Sequence, residues 1–299
     1  MHRLRSIVIV LVLAVGASPA DAVKCPPDSV PVGPVCVDKY EGSTWRIPAA
    51  QKALVAKLQK GKATLADLQK GGATQVCSIP LGNDTCTACS FGAGFPDNGN
   101  WSEPVYAASL PGVMPSTCIT WFQAEQACRL AGKRLVTNQE WQAAAAGTPD
   151  PDDADDFATT CNTNTTEPSA AGARAACVSR WGTFDMVGNV WEWVGDWGDL
   201  ATGCTNWVAE YGGDMTCVGP NVAEPSTLVA SGAAPVLGSS AALALGAQPR
   251  DIFPLDPRHP GVLIRGGNFA AGARNGVFAI YGAVPPHNRS RSTGFRCAR

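Results

Sequence analysis

The chain has 299 residues, of which 45% are hydrophobic and 16% are charged, and its formal net charge is −2. Such a chain can bury a sizeable core, and its composition excludes a protein that is disordered throughout. The small net charge and the lack of a basic run argue against a nucleic-acid partner, because phosphate binding needs clustered lysines and arginines.

The N-terminus has the pattern of a secretory leader over residues 1–22. MHRLR precedes the apolar run SIVIVLVLAVGA, and the small residues Ala20 and Ala22 form a cleavage site before Val23. The apolar run is shorter than the roughly 20 residues of a membrane span, which argues against an anchor. We therefore expect a mature chain of residues 23–299 without a membrane span, located in the periplasm or secreted.

Export favours a structural role for the twelve cysteines, all of which follow the leader. An even number in an oxidising compartment predicts six disulfides. Three pairs of near neighbours would each close a short loop: Cys25 with Cys36, Cys161 with Cys177, and Cys204 with Cys217. A local group remains whose three possible pairings the sequence leaves open: Cys77, Cys86, Cys89 and Cys118. Its Cys-x-x-Cys spacing would also suit a redox pair or half a zinc site, but the other eight cysteines favour disulfides.

Four features outside the motifs describe the organisation of the chain. Residues 35–41, VCVDKYE, alternate like a strand. Residues 49–72 have a helical pattern of leucines and lysines and predict a helical insertion on the surface. Residues 80–104 are rich in Gly, Asn and Asp and predict a loop, and residues 223–250 form a second insertion of low complexity.

Two helix starts are predicted between residues 118 and 147. Thr120 is followed three residues later by Gln, and Thr137 by Glu, which is the spacing of a capping box. The first helix should stop at Gly132 and the second at Gly147. The short link GKRLV between them predicts that the two helices are close neighbours.

The turn at residues 183–193, TFDMVGNVWEW, offers oxygen ligands of the kind that calcium prefers. The carboxylates of Asp185 and Glu192 flank the main-chain carbonyls of Gly188 and Val190, and glycine permits a tight fold. The alternative is a capped turn in which the two acids bond backbone amides, and spacing alone favours this alternative.

Five segments occur in the order found in one known family: DKYE, TWFQAEQACRLAGKRLVTNQEWQAAAAG, FDMVGNVWEW, RGGNF and GFRCAR. The chain resembles the formylglycine-generating enzyme family, the sulfatase-modifying factor domain, over roughly residues 35–299. The resemblance implies one α+β domain related to the C-type lectin fold. Such a domain is loop-rich and disulfide-stapled, and its late segments line a groove.

The resemblance also implies roles for particular residues. Asp185, Gly188, Val190 and Glu192 fall on calcium-binding positions of the family. Cys128 and Cys297 match a disulfide that ties the first helix to the C-terminal strand.

Active members of the family use two cysteines between the RGG and GFR motifs to bind copper and oxidise a substrate thiol. Here no cysteine lies between Cys217 and Cys297. Because copper(I) prefers soft thiolates, the sequence argues against copper. Other relatives use non-haem iron, but only His259 and His287 follow the leader, which excludes a three-histidine site.

The remaining groove residues carry groups for hydrogen bonding and stacking. We predict that they bind a ligand: Arg274, Asn275, Tyr281, His287, Asn288, Arg289 and, close by, Arg291. Tyr281 and His287 are also candidates for a general acid or base. The alternative is that the loop arginines have no ligand and that Arg265 and Arg296 pair with buried acids.

Two classes of function follow. The first is a calcium-stabilised exported domain that binds a peptide, a glycan or an exported protein partner without oxidising it. The second is a divergent enzyme of the family that acts on an exported protein. The missing thiols favour the first, since a fold does not by itself confer an activity.

Overall fold

The computed structural model describes residues 23–77, 86, 89–201, 204–207, 212–217 and 260–299. The predicted leader and the insertion at 223–250 lie outside the described residues. Within the described ranges, none of the helices has the length and apolar character that a membrane span requires.

The described chain combines short helices with three small β-sheets, so the predicted α+β class is confirmed at this level. The main hydrophobic core takes residues from all three sheets and from the first three helices. The helices are α1 (Lys52–Gln59), α2 (Leu65–Lys70), α3 (Trp121–Leu130) and α4 (Asn138–Ala144). The strands are β1 (Ser29–Val32), β2 (Val35–Asp38), β3 (Gly42–Arg46), β4 (Thr74–Val76), β5 (Tyr106–Ser109), β6 (Arg134–Leu135), β7 (Trp191–Asp199), β8 (Thr205–Asn206), β9 (Met215–Cys217), β10 (Pro260–Arg265), β11 (Ile280–Val284), β12 (Thr293–Phe295) and β13 (Cys297–Ala298).

A six-stranded sheet of order β12-β7-β10-β11-β9-β8 brings the predicted calcium turn beside the Arg-Gly-Gly segment. Antiparallel pairing of β7 with β10 sets Trp193 opposite Ile264 and Glu192 opposite Arg265. On the other edge of β7, parallel β12 sets Gly294 opposite Glu192. Three segments that are distant in sequence therefore meet around Glu192.

A four-stranded sheet of order β1-β2-β13-β6 joins the two ends of the described chain. The C-terminal strand β13 lies between β2 and β6, with Ala298 opposite Val37 and Cys297 opposite Leu135. The third sheet, of order β4-β3-β5, lies at the insertion side of the molecule. Long-range pairing of this kind fixes the C-terminal segment that carries the predicted groove.

Helices α3 and α4 begin where the capping boxes predict. The hydroxyls of Thr120 and Thr137 accept from the backbone N–H three residues on, and the Gln123 and Glu140 side chains accept from the backbone N–H of the cap residues. Ala124, Ala127 and Cys128 are buried along one face of α3. These two predictions are confirmed because a capping box is satisfied by residues adjacent in sequence.

The predicted helical insertion forms two helices rather than one continuous stretch. Gly61 adopts a positive φ of 62° between α1 and α2, and Thr64 then starts α2 with its own capping box through Asp67. Leu54 and Leu68 are buried in the main core, so the insertion is packed into the domain. The apolar pattern predicts the buried face of the insertion. The turn at Gly61 divides the insertion into two helices.

All twelve cysteines are paired, in six disulfides. The open question in the local group is answered by Cys77–Cys89 and Cys86–Cys118. The other pairs are Cys25–Cys36, Cys128–Cys297, Cys161–Cys177 and Cys204–Cys217. The bridge between α3 and β13 closes a separation of 169 residues, for which chain entropy gives about 5 kcal/mol.

Candidate functional site

A fully buried arginine, Arg296, occupies the centre of the predicted calcium turn. Its guanidinium donates to the Glu192 carboxylate at 2.7 Å and to the backbone carbonyls of Asp38 at 2.9 Å and Phe184 at 2.6 Å. The Trp141 indole N–H donates to the other Glu192 oxygen at 2.8 Å. We refer to Arg296, Glu192 and Trp141 as the Arg296 network. It ties the C-terminal segment to the turn, to β2 and to α4.

This network bears directly on the predicted calcium ligands. Both carboxylate oxygens of Glu192 already accept hydrogen bonds, and the guanidinium of Arg296 supplies the positive charge that a cation would bring. Among the described residues, no three His, Cys, Asp or Glu side chains form a group suited to a metal ion. The predicted calcium site has two carboxylates and two carbonyls, and calcium at this turn stays a prediction.

Asp185, the other predicted acidic ligand, is buried within the turn. Its Oδ2 accepts from the backbone N–H of Gly172 at 2.6 Å, while its Oδ1 is buried without a hydrogen-bond partner in the described structure. Burial raises the pKa of Asp185 to about 7. Burial likewise raises the pKa of Glu41, whose carboxylate accepts from the Val190 N–H and the Asn189 side chain. The Gly172 contact matches the capped-turn alternative for Asp185 alone, because Glu192 accepts hydrogen bonds from side chains.

The turn itself needs glycine at one position. Gly188 has a φ of 75°, and a Cβ there would collide with the carbonyl of Asn162. The backbone N–H of Asn189 donates to that same carbonyl at 2.7 Å. The close approach of the Asn162 backbone therefore accounts for glycine at this position.

The Arg-Gly-Gly segment also has a structural role. Arg265 is buried over the Trp141 ring, with its guanidinium carbon 4.5 Å from the ring centre, and it donates to Asn138 and Gln142 of α4. Within the described residues its hydrogen-bond partners are amides and carbonyls, so the alternative of an ion pair with a buried acid is found at Arg296 and not at Arg265. Asn275, predicted to bind a ligand, is fully buried and donates to the carbonyls of Thr163 and Gly272.

Tyr281 does not face the groove. It lies on β11, is 2% exposed and packs near Trp191, with ring centres 6.2 Å apart. Burial raises the pKa of its hydroxyl to about 12, which opposes a role as a base near neutral pH. Asn275 and Tyr281 are therefore placed in the interior, where a ligand on the surface does not reach them.

Three predicted ligand residues remain together on the loop 285–292: His287, Asn288 and Arg289. His287 is exposed, and Arg289 forms a 3.7 Å ion pair with Asp97 at the surface. The loop is held against the start of α3, because the Trp121 N–H donates to the Pro286 carbonyl at 3.0 Å. Arg274 lies on a separate turn at residues 272–274.

An aromatic cluster that the sequence analysis missed lies next to this loop. Trp121, Phe122 and Trp197 contact one another edge to face, with ring centres 4.9 to 5.7 Å apart. Phe122 is 36% exposed and Trp197 is 43% exposed. We refer to these three residues as the aromatic surface. The available signal was Phe122, which follows Trp121 and so faces away from the alanine face of α3.

Comparison with known proteins places this arrangement in a family. Residues 97–299 match the model of the sulfatase-modifying factor enzyme 1-like domain. The chain belongs to this family.

One curated relative is the hercynine oxygenase of Mycolicibacterium smegmatis, 34% identical over 95 residues. That match covers 28% of this chain and 22% of the relative, so the chain matches less than a quarter of that protein's length. Among solved structures, a Major Tropism Determinant U1 variant is 16% identical at a TM-score of 0.40, covering 93% of this chain and 53% of the other. PvdO from Pseudomonas aeruginosa is 16% identical at a TM-score of 0.34, covering 94% and 88%.

The sulfatase-modifying factor match begins later in the chain than the motif order suggests. The match starts at residue 97, whereas the first of the five motifs, DKYE, lies near residue 38 and the predicted resemblance starts at about residue 35. The insertion at 49–72 and strands β1 to β4 therefore precede the matched part. The Arg296 network, the loop 285–292 and the aromatic surface lie within it, apart from the Arg296 contact to the Asp38 carbonyl.

Proposed function

We propose that the chain is an exported binding domain of the sulfatase-modifying factor family. In this proposal it has a fold related to C-type lectins and holds an exported protein, a peptide or a glycan. The observation that carries the proposal is the pairing of all twelve cysteines in disulfides. A copper oxidase of the formylglycine-generating type needs thiolates at its site, and a disulfide sulfur has no thiolate to offer.

The proposed binding surface combines the loop 285–292 with the aromatic surface. The exposed faces of Phe122 and Trp197 offer flat apolar area, and His287 and Asn288 carry hydrogen-bonding groups on the loop that contacts Trp121. Arg289 adds a positive charge at the edge. Sugar rings and peptide side chains both present apolar faces bordered by polar groups, which is the complement of such a surface.

Copper oxidation is the direct test of the proposal. Purified chain from residue 23 is incubated with copper(I), oxygen and a peptide that contains Cys-x-Pro-x-Arg, and the peptide is followed by mass spectrometry. We expect the peptide cysteine to stay unconverted, as in a parallel reaction without copper. Conversion to an aldehyde at a rate that depends on copper would refute the binding-domain proposal.

The second candidate is a divergent oxygenase, which the 34% match to the hercynine oxygenase favours. Of the two histidines after the leader, His287 lies on the exposed loop and His259 lies outside the described residues. An iron-dependent activity would appear as oxygen consumption that needs added iron(II) and a thiol substrate and that decreases in His287→Ala. Oxygen uptake equal to that of a protein-free control would remove this candidate.

Export and calcium complete the proposal. The leader and the disulfides support export, and a mature N-terminus other than Val23 in the secreted chain would argue against cleavage after Ala22. The calcium proposal is supported by the resemblance and by the unpartnered Oδ1 of Asp185. Calcium binding predicts a lower Tm in a chelator, and Asp185→Asn should abolish that difference. An unchanged Tm of the wild-type chain in chelator would remove calcium from the account.

A further inference from the structure

A pocket of about 430 Å³ lies beside the helical insertion, and no residue of the loop 285–292 lines it. Its walls come from three places: the residues before and after the β1–β2 hairpin, the turn between α1 and α2, and the end of β5. Its volume is within the range of sites for small molecules, roughly 300 to 1,000 Å³. Most of these walls precede residue 97, where the family match begins.

Hydrogen bonds join the walls of this pocket. The backbone N–H of Asp28 donates to the carbonyl of Gly61 at 3.3 Å, which fixes the α1–α2 turn against the start of β1. The hydroxyl of Ser109 donates to the Asp28 carbonyl and accepts from the Tyr40 N–H, each at 3.0 Å. At Gly61 a Cβ would collide with the Asp28 carboxylate, so this close packing requires glycine at that position. The pocket is therefore built by tertiary contacts and is not a gap between loose loops.

Two residues of the lining carry positive charge. Lys39 and Lys62 both line the pocket, and within the described residues neither ammonium group forms an ion pair. The acid in the lining, Asp28, is already compensated by Lys133 at 2.6 Å and Arg299 at 3.0 Å. Burial opposes ionisation of Asp28, but those two cations hold its pKa below the usual value. The two lining lysines therefore lack an acidic partner inside the pocket.

The rest of the lining is mainly apolar. Leu65, Leu110 and Pro111 contribute side chains, and the Tyr40 ring is stacked on Phe184 with ring centres 5.2 Å apart. Apolar walls with a few charged groups favour a ligand that has an apolar body and one charged end. Because the lining residues without an acidic partner in the described structure are two lysines, a negatively charged end is the complementary one.

We propose that this pocket binds a small carboxylate with an apolar body, of the class of N-acyl amino acids and aryl acids. The carboxylate pairs with Lys39 and Lys62, and the apolar body lies against Leu65, Leu110 and the Tyr40 ring. The site goes beyond the proposed function, because it uses neither the loop 285–292 nor the aromatic surface.

The test is isothermal titration calorimetry of the disulfide-bonded chain with N-acetyl-L-phenylalanine. Its neutral carboxamide is the matched ligand. We expect the acid to bind at least tenfold more tightly than the amide and to weaken as salt is raised. The double variant Lys39→Gln/Lys62→Gln should lose at least tenfold in affinity for the acid. Lys70→Gln, an exposed lysine of α2 outside the lining, should leave it unchanged.

Two further variants distinguish a loss of ligand binding from a loss of folding and from an effect on the proposed binding surface. Should the double variant have a lower Tm, Ala66→Trp fills the pocket from an exposed position of α2 and should abolish binding. Trp197→Ala, on the aromatic surface, should leave the affinity for the acid unchanged. Equal affinity for acid and amide, unchanged affinity in the lysine double variant, or no heat up to 10 mM acid would each overturn the proposal.

Discussion

Two arginines seven residues apart in the C-terminal segment have opposite roles. Arg296 is fully buried and donates to a carboxylate and two carbonyls, whereas the Arg289 side chain is 38% exposed on the loop 285–292 and forms a 3.7 Å ion pair with Asp97. The difference follows from strand pairing, because Arg296 lies between β12 and β13 while the loop 285–292 precedes them. The same side-chain type holds the fold together when sheets enclose it and is accessible to a partner when a loop carries it.

The largest expected loss of stability is that of a variant of the buried arginine, Arg296. Arg296→Met should lower the free energy of unfolding by roughly 3 to 5 kcal/mol, because Glu192 would remain buried without its cation. Urea denaturation measures the loss. Arg289→Met is the matched control, and we expect it to stay within about 0.5 kcal/mol of the wild type. Equal effects of the two variants would remove the distinction between the two arginines.

Loss of the long disulfide should have an effect at the top of the same range. Cys128→Ser/Cys297→Ser opens a separation of 169 residues and should cost about 5 kcal/mol in the chain-entropy model. Cys25→Ser/Cys36→Ser opens a separation of 11 residues and should cost about 3 kcal/mol in that model. Thermal unfolding of both double variants measures the order. A larger loss for the short loop would indicate that packing, rather than chain entropy, decides the contribution of these bridges.

A third prediction concerns pH and the buried ion pair at the edge of the Arg296 network. Burial raises the pKa of Asp38 from its usual 3.8 to about 6, although Lys133 at 2.6 Å opposes this rise. A carboxyl with a raised pKa contributes stability below about pH 4, and that contribution is lost as the pH rises towards 6. Asp38→Asn should remove this loss, which is on the order of 3 kcal/mol.

Urea denaturation at pH 4, 5, 6 and 7 checks the pH prediction. The variant should gain stability relative to the wild type as the pH rises through this window. Lys133 keeps its second carboxylate partner, Asp28, in the variant, so the ammonium group remains compensated. Parallel pH profiles for the two proteins would show that Asp38 has an ordinary pKa in the folded chain.

The smallest effect on stability is expected on the exposed side. Trp197→Ala should change the free energy of unfolding by no more than about 1 kcal/mol, since the ring is 43% exposed. It should nevertheless lower, at least tenfold, the affinity for any glycan or peptide that the wild type binds on an array. Phe157→Ala, a more exposed aromatic residue outside the aromatic surface, is the control for binding. Unchanged binding in Trp197→Ala would show that the partner does not bind at the aromatic surface.

Features that depend on neighbouring residues could be predicted from the sequence. The capping boxes at Thr120 and Thr137 are satisfied within one turn of helix, and the spacing alone locates the helix starts. The short disulfide loops follow from the same local logic, as at Cys25–Cys36, and the family follows from the order of the motifs. Where several cysteines lie close together, as in the pair Cys77–Cys89, spacing leaves the pairing open.

Tertiary structure alone decided which polar groups are buried. The sequence placed Tyr281 and Asn275 in the groove, but both lie in the interior, and Glu192 lies against an arginine 104 residues away. The aromatic surface likewise combines residues of α3 and β7. The pocket lined by Lys39 and Lys62 combines residues of the insertion with the end of β5. Local pattern sets the hydrogen bonds that a few adjacent residues can satisfy. The desolvation and compensation of a charge depend on segments that only the folded sheets bring together.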